Sequence, residues 1–269
     1  MTALAPVPDR RRMTADRRKG GGRRVEELHA ALRETQIEIL FQPQFACDDG
    51  RLLGAEALSR WNHPRLGRIG VEALFDIAER SGEAARLTRH IAGRALATAA
   101  GWPAPLRLSL NVTAMDLAEE DFAENIAVSL VGAGFDPRRL TLEITEQALV
   151  RDVERCAAQL AMLAERGIRV ALDDFGAGFC NFRYLKRLPL DCLKLDRSMI
   201  EGITEDERDR AVLRGIMAMA RALSLSVLAE GIDTEAQRDA VAREGCAAWQ
   251  GFLGAEAMSS DAFLAFAGK

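Results

Sequence analysis

The sequence predicts an α/β fold, a β/α barrel, on three observations. About eight strand candidates alternate with helix candidates across the roughly 245 residues that follow position 24. The first two strands are joined by the short turn Asp48-Asp49-Gly50, so the sheet opens on an antiparallel pair. No strand leads into GxGxxG or into GxxxxGKS or GxxxxGKT, so neither dinucleotide nor P-loop phosphate binding has support. A doubly wound open sheet is the alternative arrangement of the same pattern.

Ahead of the barrel, residues 1–24 hold seven Arg and one Lys against Asp9 and Asp16, a net of +6 in a chain of net charge −4. The remainder therefore carries −10. Pro, Gly and Arg with few apolar groups read as a disordered basic tail or linker, and 25–269 as the folded domain. The tail has no aromatic residue to stack on bases, so long nucleic acid is not expected as a partner. No apolar run approaches the roughly 20 residues of a membrane span, and the N-terminus lacks the apolar core of a signal peptide. Five cysteines without a CxxC pair fit reduced thiols and a cytoplasmic location.

The elements follow in order. Val25, Leu28, Ala31 and Leu32 share one side of a short helix at 25–33. Strands at 37–45 and 52–61 flank the turn. Helices are expected at 71–80 and 84–100, a strand at 107–111, and a helix near 118–132 stopped by Gly132 and Gly134. The turn Asp136-Pro137 precedes a strand at 139–144, and a helix at 153–166 is closed by Gly167. A β-branched run at 168–172 is a strand, followed by a loop with a helical piece near 182–188 and a strand at 192–195. A long helix at 206–223, a strand at 226–229, a helix at 234–244, a short strand at 247–249 and a helical piece at 261–267 complete the pattern.

The chemistry centres on LDDFGAG at 172–178. In an extended chain Asp173 and Asp174 point to opposite sides, but a turn between them lets both face one ion or two neighbouring ions. Gly176 and Gly178 supply a backbone that bends sharply. In a β/α barrel the reacting groups sit at the C-terminal ends of the strands. The polar residues there are Glu56, Asn111, Glu143, Asp173 with Asp174, Lys194, Glu230 and Gln250. One strand-terminal acid is an ordinary helix cap; a series of acids with Asn, Lys and Gln at successive strand ends is not. Carboxylate and carboxamide oxygens suit Mg²⁺ or Mn²⁺. A Lys among them can orient or deprotonate a water. Zinc is disfavoured, since no His or Cys falls in the set.

At these residues the sequence resembles the EAL domain family, bacterial phosphodiesterases of cyclic di-GMP. The matching pieces are FQPQ (41–44), AEALSRWNHP (55–64), SLNVT (109–113), LEITE (142–146), LDDFGAGF (172–179), LKLDRS (193–198), LAEGIDT (228–234) and QGFL (250–253), in family order. The resemblance implies a modified (β/α)8 TIM-like barrel with one antiparallel strand. It implies one ion on Glu56, Asn111, Glu143 and Asp173, and a second on Asp173, Asp174 and Glu230, both Mg²⁺ or Mn²⁺. Glu56, Lys194, Glu230 and Asp174 form the catalytic set, with Lys194 toward the attacking water. Gln42, Leu58, Arg60 and Gln250 would meet the dinucleotide, and Glu146 would steady the loop after Asp174. The implied reaction is hydrolysis of cyclic di-GMP to linear pGpG in second-messenger signalling. A catalytically weak or inactive EAL-type receptor or interaction domain is the alternative.

Departures from the family pattern bear on that choice. Gly254-Ala255-Glu256-Ala257 stands where an aromatic residue and a small-Arg-Pro run are usual, so Glu256 reverses a charge. Cys180 and Asn181 replace two small residues, and Asn111-Val112-Thr113 replaces Asn-Leu-Ser. EAL domains often dimerise beside the loop after the acid pair. Phe179, Phe182, Tyr184 and Leu185 there are either core or a two-fold interface, and a homodimer is expected. His63 is expected to fix the turn before Pro64, Trp61 to pack in the barrel wall, and Met217 and Met219 to fill a helix core.

Overall fold

The computed structural model describes residues 21–34, 36–145, 153–177 and 185–268. In chain order its elements are α1 (Gly21–Arg33), β1 (Ile37–Ala46), β2 (Leu52–His63), β3 (Gly67–Ile69), α2 (Val71–Ser81), α3 (Ala84–Ala99), β4 (Arg107–Val112), α4 (Ala114–Leu117) and α5 (Phe122–Ala133). There follow β5 (Leu140–Thr145), α6 (Val153–Glu165), β6 (Arg169–Phe175), β7 (Cys192–Leu195), α7 (Glu207–Ala222), β8 (Ser226–Ala229), α8 (Glu235–Glu244), β9 (Ala248–Trp249) and α9 (Ser260–Ala267).

Eight strands close into a ring in the order β1-β2-β4-β5-β6-β7-β8-β9, with β9 returning to β1. Closure leaves no free sheet edge in the wall. Strand β1 is antiparallel to both its neighbours. Every other contact around the ring is parallel. The fold is therefore a β/α barrel with one reversed strand, and the open doubly wound sheet is excluded. Strand β2 runs on past the wall and pairs antiparallel with β3. Three residues are too few for an alternation to reveal, so β3 was invisible to periodicity.

The main core lies between the barrel and its helices, built from buried residues such as Leu96, Leu108, Leu142, Leu160, Leu193 and Leu213. A second core joins α1, α2 and α3 to one end of the β1–β2 pair through Leu28, Ile37, Trp61, Leu74 and Leu87. Trp61 is fully buried there, with its Nε1 donating to Gln36 Oε1 at 3.1 Å. His63 Nδ1 accepts from the backbone N–H of Arg65 at 3.1 Å and of Leu66 at 3.2 Å, which fixes the turn as expected. Met217 is buried in the main core and Met219 packs against it.

The helix expected at 118–132 is two pieces. Thr113 and Asp116 form a capping box that starts α4 directly after β4. The chain then restarts at Phe122 and stops at Gly134, which sits at φ 65°. Helix α1 begins at Gly21, one turn before the expected 25. Strand β6 continues through the acid pair to Phe175 rather than stopping at Leu172. The helical piece near 182–188, the loop aromatics at 179, 182 and 184, Cys180 and Glu146 fall wholly or partly outside the described residues.

Candidate functional site

The mouth of the barrel collects one polar side chain from each of the eight wall strands. Strand parity and register decide which. Glu56 faces inward from the middle of β2, and the antiparallel register sets Gln42 of β1 directly opposite it. Asn111 of β4 pairs with Glu143 of β5 across the parallel ladder. Asp173 lies on β6 and Lys194 on β7. Glu230 follows β8 immediately and Gln250 follows β9. Gly251 leaves β9 where a Cβ would lie 2.1 Å from the carbonyl oxygen of Ile232, so only glycine lets the chain turn there and hold Gln250 in place.

Lys194 is the hub. Its side chain is 1% exposed, and Nζ lies 2.6 Å from Glu143 Oε2, 2.8 Å from Glu230 Oε1, 3.0 Å from Asp173 Oδ1 and 3.5 Å from Glu56 Oε2. Glu56 also accepts from Asn111 Nδ2 at 2.7 Å and from Gln250 Nε2 at 2.8 Å. Gln250 Nε2 reaches Gln42 Oε1 at 3.1 Å, and Gln44 Nε2 donates to Gln250 Oε1 at 3.0 Å. Gln44 was not singled out from sequence. Its signal is its place two residues beyond Gln42, on the same face of β1.

Asp173 and Asp174 are brought together by a local distortion. The β6–β7 register shifts between Leu172 and Phe175, and Asp174 sits at φ 55°. Left-handed backbone costs an L-residue roughly 1–2 kcal/mol, least for Asp and Asn. The effect is to turn the second carboxylate back toward the first, as the turn reading required. Oxygens of Asp173, Asp174 and Glu230 lie within 4.8 Å of one another. Gly176 follows at φ 103° and lies so close to Met199 that a Cβ would meet its side chain at 2.5 Å.

Five carboxylates and one ammonium give this cluster a formal charge of −4. The strain shows in the acid strengths. Burial, with repulsion from Glu56 added and Lys194 only partly offsetting, pushes Glu143 well above the usual carboxylate range. Burial brings Glu230 up to about 8 despite the lysine. Burial and then Asp173 raise Asp174. Glu56 goes the other way: burial opposes ionisation, but the Lys194 charge and the hydrogen bonds from Gln250 and Asn111 outweigh it. Burial likewise opposes the Lys194 charge, yet Asp173, Glu143, Glu230 and Glu56 hold its pKa well above normal.

An all-oxygen donor set with surplus negative charge fits hard divalent cations and does not fit zinc. Protons and cations compete for the same oxygens. Glu230 keeps its proton below about pH 8, so divalent affinity should rise with pH up to that point and level off above it. One displaced proton corresponds to about tenfold per pH unit. Calorimetric titration of Mn²⁺ between pH 6 and pH 9 checks this, and a flat profile would count against it.

Above the cluster lies a cleft of about 560 Å³. One side carries the acids with Gln42 and Gln250; the other is apolar, with Leu58, Val71, Phe75 and Met115. Phe75, Met115 and Glu79 come from α2 and the start of α4, where sequence showed no strand-end signal. Leu58 lines the cleft, and Arg60 is not among its lining residues. The Arg60 guanidinium instead donates to the Ser59 carbonyl at 2.9 Å. Gln42 Nε2 lies 3.5 Å from the carbonyl oxygen of Ala255, which places the changed 254–257 segment at the rim, with Glu256 exposed.

Comparison with known proteins adds an independent line. Residues 25–257 match the profile described as the EAL domain. The chain is 32% identical over 245 residues to the bifunctional diguanylate cyclase/cyclic di-GMP phosphodiesterase MucR of Pseudomonas aeruginosa, covering 90% of this chain and 36% of MucR. It is 37% identical over 233 residues to the cyclic di-GMP phosphodiesterase NbdA of the same organism, covering 85% of this chain and 30% of NbdA. The chain thus spans about a third of the length of these curated relatives. Among solved structures, the PaMucR phosphodiesterase in complex with c-di-GMP superposes with a TM-score of 0.83 at 32% identity, covering 90% of this chain and all of that one.

Proposed function

Because the chain belongs to the EAL domain family, we propose that it is a divalent-metal-dependent phosphodiesterase that opens cyclic di-GMP to linear pGpG. One observation carries the reading most: a lysine buried among four carboxylates at the mouth of the barrel, with a fifth acid turned toward them. Glu56, Asn111, Glu143 and Asp173 would hold one Mg²⁺ or Mn²⁺, and Asp173, Asp174 and Glu230 a second. When bound, such ions supply Lewis acidity toward the phosphodiester and activate water.

The chain's own groups do the rest. Lys194 donates toward the attacking water and stays charged through the reaction. Gln250 and Gln42 stand at the edge of the acid cluster, facing the substrate. Leu58, Val71, Phe75 and Met115 offer an apolar wall for a nucleobase. The cleft's own charge repels an anionic dinucleotide, so metal is required for binding as well as for chemistry. Incubation with cyclic di-GMP and Mn²⁺ tests the function: pGpG should accumulate, and EDTA should abolish both turnover and binding. Metal-dependent binding without turnover would instead favour an EAL-type receptor, the reading to which exposed Glu256 at the rim lends support.

The same reading takes 25–269 as one EAL-type unit, with 1–24 as a basic tail and Glu146 steadying the loop after Asp174. Among the described residues no helix is long and apolar enough to cross a membrane, and a cytoplasmic setting suits the bacterial messenger. A homodimer goes with it. An apolar groove of about 680 Å³, lined by Phe175, Leu185, Val212, Ile216 and Met219, adjoins the end of β6 that carries Asp174. Covering it with a second copy would fix Asp174, so specific activity should fall on dilution. Activity against concentration, with mass by light scattering, checks this; a fully active monomer at every concentration would refute it.

A further inference from the structure

The interior of a β/α barrel is ordinarily filled with layers of bulky branched side chains. This one is hollow. Below the acid layer most inward positions are small, among them Ser109, Thr141, Ala171, Cys192 and Ala248, and with Gln44 and Leu228 they line a cavity of about 620 Å³. Its roof is Glu143 and Lys194, reached from beneath. Its floor is at the opposite end of the barrel from the acidic cleft, where Arg107 opens β4 and Arg169 opens β6.

These two arginines stand out in an acidic body. Most surface arginines here sit in ion pairs, for example Arg65 with Glu27 and Arg89 with Glu119. Among the described residues, neither Arg107 nor Arg169 has a carboxylate within ion-pair distance. Arg169 Nη2 meets only Ser226 Oγ at 3.3 Å. The neighbouring acid, Asp191, is engaged by the backbone N–H of Val170 at 2.8 Å. Arg51 at the rim is already paired with Asp48 and Asp49. Burial and then the repulsion of Arg169 depress the Arg107 pKa, with the charge of Asp191 only partly offsetting them. Two cations that face one cavity and repel each other gain from a shared anion. Guanidinium forks match phosphate oxygens bidentately, while the Ser226 hydroxyl, which donates to the Asp191 carbonyl at 2.9 Å, positions Arg169.

We propose that the hollow of the barrel is a second ligand site, separate from the acidic mouth, which takes a small phosphate-bearing anion on Arg107 and Arg169. The volume suits inorganic phosphate or a nucleoside monophosphate, both within the range of ordinary ligand pockets, about 300–1,000 Å³. Lys194 stands between this cavity and the acidic cleft, lining both.

The test uses the metal-free chain in EDTA, where the charge of the mouth rejects anions. Calorimetric titration with inorganic phosphate and, separately, with 5′-GMP should give saturable binding, and the tighter of the two identifies the source. Arg107→Met with Arg169→Met should weaken it at least tenfold, whereas Glu56→Gln at the mouth should leave it within twofold. On the unaltered protein, a crystal soaked in tungstate should show the anion between the two arginines, which keeps the proposal testable if the double variant does not fold. No saturable binding of either anion, binding unchanged in the folded double variant, or tungstate only elsewhere overturns it.

Discussion

Glu56→Ala is expected to abolish turnover of cyclic di-GMP while leaving the barrel folded. Glu56 is buried, and its two oxygens accept from Asn111, Gln250 and Lys194 at once. Its carboxylate thereby ties Gln250, which follows β9, to Asn111 of β4. Its loss removes a proposed metal ligand and frees Asn111 and Gln250 to turn away. Losing about 4 kcal/mol of transition-state stabilisation corresponds to roughly a thousandfold in rate. The packing around it is made by other residues, so the melting temperature should hold or rise as a negative charge leaves the cluster. The measurement is hydrolysis at saturating Mn²⁺ beside a thermal melt. Near-normal activity under those conditions would mean that the ions sit elsewhere.

Lys194→Met should have the second large effect, and of a different kind. The side chain it replaces is, among the described residues, the one cation inside the ring of acids. Removing the cation leaves buried carboxylates uncompensated, which costs about 3–5 kcal/mol and for a chain of this size lowers Tm by roughly 6–20 °C. Added Mg²⁺ or Mn²⁺ should restore most of that loss, because a divalent ion takes over the neutralising role. Activity should not return with it: losing a preorganised charged donor aimed at the attacking water is worth about 10²–10³-fold. The comparison of melts with and without metal therefore separates the structural duty of the lysine from its chemical one. An unchanged metal-free Tm would show that the acids are neutralised by protons alone.

Much of this was legible in the chain. The alternation of strands and helices marks a barrel because each strand is short and each helix carries one apolar stripe. The turn at 48–50 marks the reversed strand because so short a connection joins only antiparallel neighbours. The strand-end residues converge because a closed ring turns every inward position of one level toward a single axis. Other features depend on distance rather than pattern. Arg60 has the parity of Glu56 and Leu58, yet its long side chain folds onto the Ser59 carbonyl; parity fixes where a Cβ points, not where a guanidinium ends. Gln44 matters only because β9, some two hundred residues later, lies against β1. Phe75 and Glu79 reach the cleft from a helix whose tilt no local pattern reports.

The seam between β1 and β9 carries a consequence for the order of events when the chain is made. The pair that closes the barrel joins Phe45 to Trp249, and the bond from Gln250 to Gln42 spans 208 positions. Met258 then bridges back to Phe41 through two backbone hydrogen bonds, and Phe263 packs on Phe41 and Trp102. Contacts of such long range form late, after the local hairpin and the βα units. A ribosome-bound chain that has extended just past β8 to Glu230 holds every acid of the cluster but has no closed wall to aim them. Catalytic competence therefore arrives all at once, when the last strand leaves the exit tunnel and docks.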